Sequence, residues 1–396
     1  MSFPKYEAYK DSGVEWLGAV PEHWRVSQLK HLLDIQNGSD HKSIETEDGV
    51  PVFGSGGSFA FASKHMFDGE SVLLGRKGTV DKPMYLKQKF WAVDTVYWSK
   101  IRPEVSGKFA FYSATTIPFG YYSTNTALPS MTKSALGSHI SPVPPLEEQQ
   151  SIARFLDSEI TKIDNLVASQ ARLIELLKEK HLAVISQAVT KGLNPLVAMK
   201  DSGVDWLGEI PAHWCVLSLR WQAKMSSGEL ITSDDIDIAG EFPVFGGNGL
   251  RGFANRPTHS GDYVLIGRQG ALCGNINYAN GQFWASEHAV VVYPQLNQNY
   301  IWLGELLRSM NLNQYSIASA QPGLSVDRIR SLRTPLPPID EQNEIACYIC
   351  REATKFDDLI TTTERAIGLL KERRTALISA AVTGKIDVRG FVEQAA

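Results

Sequence analysis

Long hydrophobic runs are missing from this chain of 396 residues: no apolar stretch approaches the roughly 20 residues that a membrane-spanning helix needs. The opening MSFPKYEAYKDSGVEWLG also lacks the apolar centre of a signal peptide, so a soluble protein that stays in the cytoplasm is expected. Cysteine is scarce as well. Cys215, Cys273, Cys347 and Cys350 are too few and too scattered for a disulfide framework. Cys347 and Cys350 form a C-x-x-C, but no second pair completes four ligands, so no metal site is expected. A surplus of positive charge is the third absence, the formal net charge being −4. Residues 1–145 carry 15 basic against 14 acidic side chains, and residues 201–338 carry 9 against 12. Any contact with a polyanion therefore needs basic groups gathered on one surface, or a partner that supplies them.

What the chain does have is itself, twice. KDSGVEWLGAVPEHWRV at 10–26 returns as KDSGVDWLGEIPAHWCV at 200–216. PVFGSGG at 51–57 returns as PVFGGNG at 243–249, and VLLGRKG at 72–78 as VLIGRQG at 264–270. PVPPLEEQQSIA at 142–153 matches PLPPIDEQNEIA at 335–346, and RLIELLKEKHLAVISQAVT at 172–190 matches RAIGLLKERRTALISAAVT at 365–383. A period of about 190 residues is far beyond a solenoid unit, so a whole module has been duplicated.

Each module divides in two. The first part holds short apolar runs, Ser71–Leu74 and Tyr263–Ile266, closed by glycine turns at 75–78 and 267–270, and then a helical stretch around Phe109–Ser113 or Tyr300–Leu307. These features predict α+β globules. The second part predicts one long helix. After Pro145, the apolar positions Ile152, Phe155, Leu156, Ile160, Ile163, Val167, Leu173, Leu177, Val184 and Ala188 keep a period near 3.5, with no Gly or Pro inside. Glu147 and Glu148 suit its N-terminal end, Asp340 and Glu341 that of its copy, and Gly192 and Gly384 the two C-terminal ends. From Leu146 to Lys191 there are 46 residues, roughly 70 Å of helix. The second globule begins directly after the first helix and leads directly into the second. An antiparallel pair spares the chain a return along the helix length, and it relates the halves by a pseudo-two-fold axis. The expected fold class is thus α+β, with two homologous globules joined by two long antiparallel helices forming a coiled coil. The expected segments are residues 1–145 and 196–338 for the globules, 146–195 for the central helix, and 339–396 for the distal helix and tail.

SPVPPLEEQQSIARFLDSEITKID and its copy TPLPPIDEQNEIACYICREATKFD resemble the conserved helical regions of the specificity subunits of type I restriction-modification systems. So do the module openings, the LLGRKG and LIGRQG turns, and the segments Ala127-Leu128-Pro129 and Ala320-Gln321-Pro322. The resemblance covers essentially the whole chain. It implies that each globule is a target recognition domain reading half of a split site in double-stranded DNA. It also implies that the helices set the gap and dock two modification (methyltransferase) subunits, to which restriction (translocase-nuclease) subunits attach. S-adenosylmethionine, ATP and Mg²⁺ would belong to those partners, and no catalytic residue is expected in this chain. In keeping with that division, no Walker loop is present, and the only Asn-Pro, Asn194-Pro195, runs into Leu196 rather than a second proline and an aromatic. Asp94 and Glu287 match in position, but carboxylates on separate globules cannot share an active site.

The first candidates for DNA contact are Arg76 and Lys77 in one turn and Arg268 and Gln269 in the other. Arg pairs bidentately with guanine and Gln with adenine, so the Lys/Gln difference suits two half-sites of different sequence. Bracing of the shared fold, or contact with phosphate alone, is the plainer role for the two arginines. Ser55 and Asn248 lie in glycine turns that could approach a DNA backbone or be simple tight turns. Trp16, His23 and Trp24, with their copies Trp206, His213 and Trp214, read as packing that fastens each globule to the helix ends. Arg172, Lys178 and Glu179, with Arg365, Lys371 and Glu372, form either a solvated helix face or a surface for partner docking. A coiled-coil adaptor that bridges two identical partner proteins without touching DNA is the competing function.

Overall fold

The computed structural model describes residues 3–123, 129–270, 272–316 and 323–391. Ala127-Leu128, Ala320-Gln321-Pro322 and the last five residues lie outside the described residues. The chain forms two compact units, one of residues 1–170 with 365–396 and the other of residues 171–364. Among the described residues no helix is long and apolar enough to cross a membrane.

In the first unit, DSGVEWLG closes a small ladder between Tyr9–Asp11 and Ala19–Pro21, with Asp11 accepting the amide of Gly13. A seven-stranded sheet follows, in the order Leu33–Asn37, Val96–Ile101, Phe67–Gly75, Met84–Ala92, Val50–Gly54, Gly57–Ala62 and Glu45–Thr46. Its ladders are antiparallel except that Val50–Gly54 runs parallel to Met84–Ala92. Strand Phe67–Gly75 is buried on both faces. Val72 and Leu74 join a cluster with Leu29, Leu33 and Leu136, while Leu73 meets Phe90, Val96 and Trp98. That is why the run reads as continuously apolar rather than alternating. The helix Gly107–Ala114, capped by Ser106, packs on this sheet.

The second unit repeats the plan with two breaks, the counterpart of Phe67–Gly75 being split into His259–Ser260 and Tyr263–Gly267. The counterpart of the nine-residue strand Met84–Ala92 is split into Ile276–Ala279 and Gln282–Ala285 at Asn280-Gly281, where Gly281 adopts φ +73°. The sheet accordingly divides into two of four strands.

The long helices span Leu146–Lys191 and Ile339–Val382. In the first unit Ile152, Phe155, Leu156, Ile160 and Ile163, near the start of one helix, cluster with Leu377, Ile378, Ala381 and Val382, near the end of the other. In the second unit Ile185, Ala188 and Val189 cluster with Ile345 and Ile349. The helices are therefore antiparallel, as the connectivity requires. One expected seam residue is corrected: Leu173 is 41% exposed, and Ile174 is buried in its place. The 3-4 spacing of the seam runs through Gln170, Ile174 and His181, so polar side chains stand where an apolar pattern was sought. His181 stacks on Phe356 with ring centroids 4.9 Å apart.

Candidate nucleic-acid interface

Each globule is fastened to the helices by the same two side chains of the Glu-Gln pair after the prolines. Glu148 accepts from Trp24 Nε1 at 3.0 Å and meets His23 Nε2 at 2.7 Å. Glu341 repeats this with Trp214 at 2.9 Å and His213 at 2.5 Å. Gln149 accepts from the amide of Ser106 and donates to the carbonyl of Pro144, while Gln342 does the same with Asn299 and Pro337. These glutamines thereby hold the N-cap residues of the globule helices. Trp24 also lies against Gly384, and Trp214 against Gly192, each a left-handed glycine just past a long helix. One tryptophan per unit thus touches the start of one long helix and the end of the other. The sequence predicts packing for Trp24 and Trp214 but gives the glutamates only a place at a helix N-terminal end. Trp16 is more exposed and stacks on His139, and Trp206 donates to the carbonyl of Arg333.

On this scaffold the candidate DNA residues come together within each unit. The amides of Arg76 and Lys77 both donate to the carbonyl of Thr95, and the amide of Ser55 donates to the Thr95 hydroxyl at 3.3 Å. Thr95 joins the two turns, and no motif in the sequence marks it. The Arg76 guanidinium donates to the carbonyl of Asp94 and lies 5.8 Å from the centre of the Tyr97 ring. Lys77 bridges Ser130 across the turn. In the second unit the amide of Arg268 donates to the carbonyl of His288, which occupies the place of Thr95. Its guanidinium donates to Ser227 Oγ at 3.0 Å, and Gln269 is exposed beside Gly323.

The glycines explain the closeness. A Cβ on Gly267 would stand 2.3 Å from the carbonyl oxygen of Gly247, so only glycine lets the two turns touch. In the first unit a Cβ on Gly75 would stand 2.4 Å from the Thr79 carbonyl oxygen, so glycine there lets the turn close on itself. Both arginines are half-buried with part of their donor fork engaged, whereas Gln269 and Asn248 are exposed. The result in each unit is one anchored arginine beside one polar side chain that differs between the units, which is suited to hydrogen-bonding a base edge or a phosphate. Arg172, Lys178, Glu179, Arg365, Lys371 and Glu372 are all exposed on the long helices, and Lys178 makes an i,i+3 pair with Glu175. Cys347 and Cys350 are exposed on the second helix.

The type I restriction modification DNA specificity domain matches this chain twice, over residues 21–176 and 216–368, more than half of its length, and the chain belongs to that family. Among relatives, the specificity subunit of the EcoprrI type I restriction enzyme of Escherichia coli is 45% identical over 140 residues, a stretch that covers 34% of each chain. The EcoBI specificity subunit, also from Escherichia coli, is 23% identical over 439 residues, covering 97% of this chain and 90% of the relative. Among solved structures, a chain from a study of assembly and conformational transition in the type I system aligns with a TM-score of 0.72 at 14% identity, covering 92% of this chain and 98% of that one. The HsdS subunit of Thermoanaerobacter tengcongensis aligns with a TM-score of 0.54 at 15% identity, covering 93% and 98%. At these identities the structural likeness is one of fold.

Proposed function

We propose that this chain is the subunit that gives a type I restriction-modification complex its DNA sequence specificity, each globule reading one half of an asymmetric, bipartite site. The observation that carries this reading is the duplicated turn, in which the amide of Arg76 or Arg268 donates to the carbonyl of Thr95 or His288 and the next residue bridges Ser130 or Gly323. The side chain at that next position is Lys77 in one unit and Gln269 in the other. A difference at this position fits two surfaces that meet different half-sites, Lys77 through phosphate and Gln269 through a base edge.

The remaining assignments rest on family membership. Residues 1–145 and 196–338 serve as target recognition domains, residues 146–195 as the central conserved helix, and 339–396 as the distal helix and tail. The paired helices set the gap between half-sites, and the exposed Arg172, Lys178 and Glu179 with Arg365, Lys371 and Glu372 offer two equivalent faces to two modification subunits. Restriction subunits join through that assembly, in the cytoplasm. The chain contributes no catalytic group, and S-adenosylmethionine, ATP and Mg²⁺ act in the partners. The near-neutral charge of the first globule and the negative charge of the second leave much of the phosphate neutralisation to those partners. Methylome sequencing of cells that carry the complete system tests this reading. A two-part motif with an unspecified gap is expected, and a continuous or palindromic motif overturns it.

A further inference from the structure

The hairpin behind each glycine turn carries an irregularity that the motifs do not announce. In the first unit, strands Val50–Gly54 and Gly57–Ala62 pair Val52 with Ala60 but Phe53 with Ser58, which leaves Phe59 as an extra residue. In the second, strands Phe242–Gly246 and Gly249–Ala254 pair Val244 with Gly252 but Phe245 with Leu250, which leaves Arg251 over. The same β-bulge therefore stands at the same place in both copies, and a bulge re-aims the side chain it carries. Each bulged side chain is seated over a glycine. A Cβ on Gly54 would stand 3.2 Å from the Phe59 ring, and one on Gly246 would stand 2.5 Å from Arg251 Cδ. The backbone device and its glycine seat are common to both globules, and only the side chain they present is different.

Neither side chain is buried in its own globule. Phe59 is 59% exposed and touches His41 edge-on at 5.2 Å. It borders a cleft of about 540 Å³ that is also lined by Lys42 and by Ser55 and Thr95, two residues of the candidate interface. Arg251 is exposed, and among the described residues no acidic group pairs with it. An unpaired guanidinium and an exposed phenyl ring, held at one bulge beside the touching turns, are unlike in exactly the way that readers of different bases must be.

We infer that the bulged residue is a specificity-determining contact in each globule, with Arg251 selecting guanine through its O6 and N7 edge and Phe59 selecting thymine through its 5-methyl group. This rests on the functional reading above. The test uses the assembled methyltransferase complex and a DNA library randomised across both half-sites. Arg251→Ala should lower the preference for guanine at one base pair of one half-site by about ten- to a hundredfold, and Arg251→Gln should turn that position toward adenine. Phe59→Ala should lower the preference for thymine at one base pair of the other half-site by about fourfold, and Phe59→Leu should retain it. Both positions are exposed, so melting temperatures should not move. Unchanged base preferences, or an equal loss on all sequences, overturn the inference and leave the functional reading standing. A wild-type complex that shows no bipartite preference overturns that reading and this inference with it.

Discussion

The two globules are one plan executed with different surfaces, and what they share is as informative as where they differ. Shared are the side chains that work inward: Glu148 and Glu341 on the buried tryptophans, Gln149 and Gln342 on the helix caps, and Gly75 and Gly267 under the turns. Different are those that face out or lie under the surface turns: Lys77 against Gln269, Gly56 against Asn248, Phe59 against Arg251, and His139 against Leu332. The strand that is unbroken at Met84–Ala92 and interrupted at Asn280-Gly281 belongs to the second group. A duplicated module keeps the contacts that hold its shape and is free to change those that meet a ligand. Within one chain, each half is thus a control for the other.

The largest expected difference lies in the clamps. Glu148 has a side chain only 6% exposed, whereas that of Glu341 is 35% exposed. Tyr6 packs edge-on against Trp24, and the Arg389 guanidinium lies 5.1 Å from the centre of the Tyr6 ring, so the first clamp is covered by both ends of the chain. Removing the carboxylate strands the indole N–H of Trp24 in a buried site. Glu148→Ala should destabilise by about 2–3 kcal/mol and Glu341→Ala by about 1 kcal/mol. Urea unfolding followed by hydrogen exchange measures both, and equal costs would show that the two clamps are energetically alike.

The arginines come next. Arg76→Ala and Arg268→Ala should each relax recognition at one base pair, in opposite half-sites, by about 1–3 kcal/mol. Selection from a randomised library separates this from contact with phosphate, which would weaken binding on all sequences alike. A lowered melting temperature with unchanged affinity would instead assign the pair to bracing, since Arg268 holds Ser227 and Arg76 holds the Asp94 carbonyl.

Much of this was legible in the sequence, for stateable reasons. Duplication supplies its own alignment, and two uninterrupted 3.5-residue patterns force two long helices. Their antiparallel packing followed from chain connectivity alone. Three features were hidden. The seam passes through Gln170 and His181, which an apolar count discards, and His181 is accommodated by stacking on Phe356. The bulges at Phe59 and Arg251 are properties of register between strands, and they leave no mark in composition. Glu148 and Gln149 were visible as the start of a helix, but their real partners, Trp24 and Ser106, lie 124 and 43 residues away. The repeat of Glu-Gln at equal distance from the prolines in both copies was the signal that could have found them.

A subtler contrast is acid sensitivity. His139 is buried, stacks on Trp16 and pairs with the Tyr122 hydroxyl at 3.0 Å, and burial pulls its pKa down from 6.5 to about 4. A neutral imidazole is therefore favoured by the fold. The unfolded chain takes up the proton first as pH falls, so stability is full above pH 6.5 and declines toward pH 4. The second globule has Leu332 at this place and lacks the effect. His139→Leu should remove on the order of 1–2 kcal/mol of the acid-dependent loss between those limits. Unfolding profiles of wild type and variant at several pH values, compared as a difference, check this, and parallel profiles would refute it.

The smallest expected effect bears most directly on how the two globules diverged. Lys77 and Gln269 occupy the same turn position, and both are held by a main-chain bridge, to Ser130 and Gly323 respectively. An exchange of side chains should therefore leave the turn intact. Lysine is a strongly hydrated point charge without a base-matching fork, which suits it to phosphate, whereas glutamine matches adenine bidentately. Lys77→Gln should then reduce affinity only a few-fold and lower the slope of log affinity against log salt by about 0.9, with base preferences unchanged. Gln269→Lys should do the reverse to the slope, and it should also blur one base pair in the second half-site. The decisive measurement is a salt titration of the assembled complex on its own site and on random DNA. A Lys77→Gln variant whose slope is unchanged but whose sequence preference shifts would make Lys77 a reader of bases. The two turns would then differ in the base they select rather than in whether they select one.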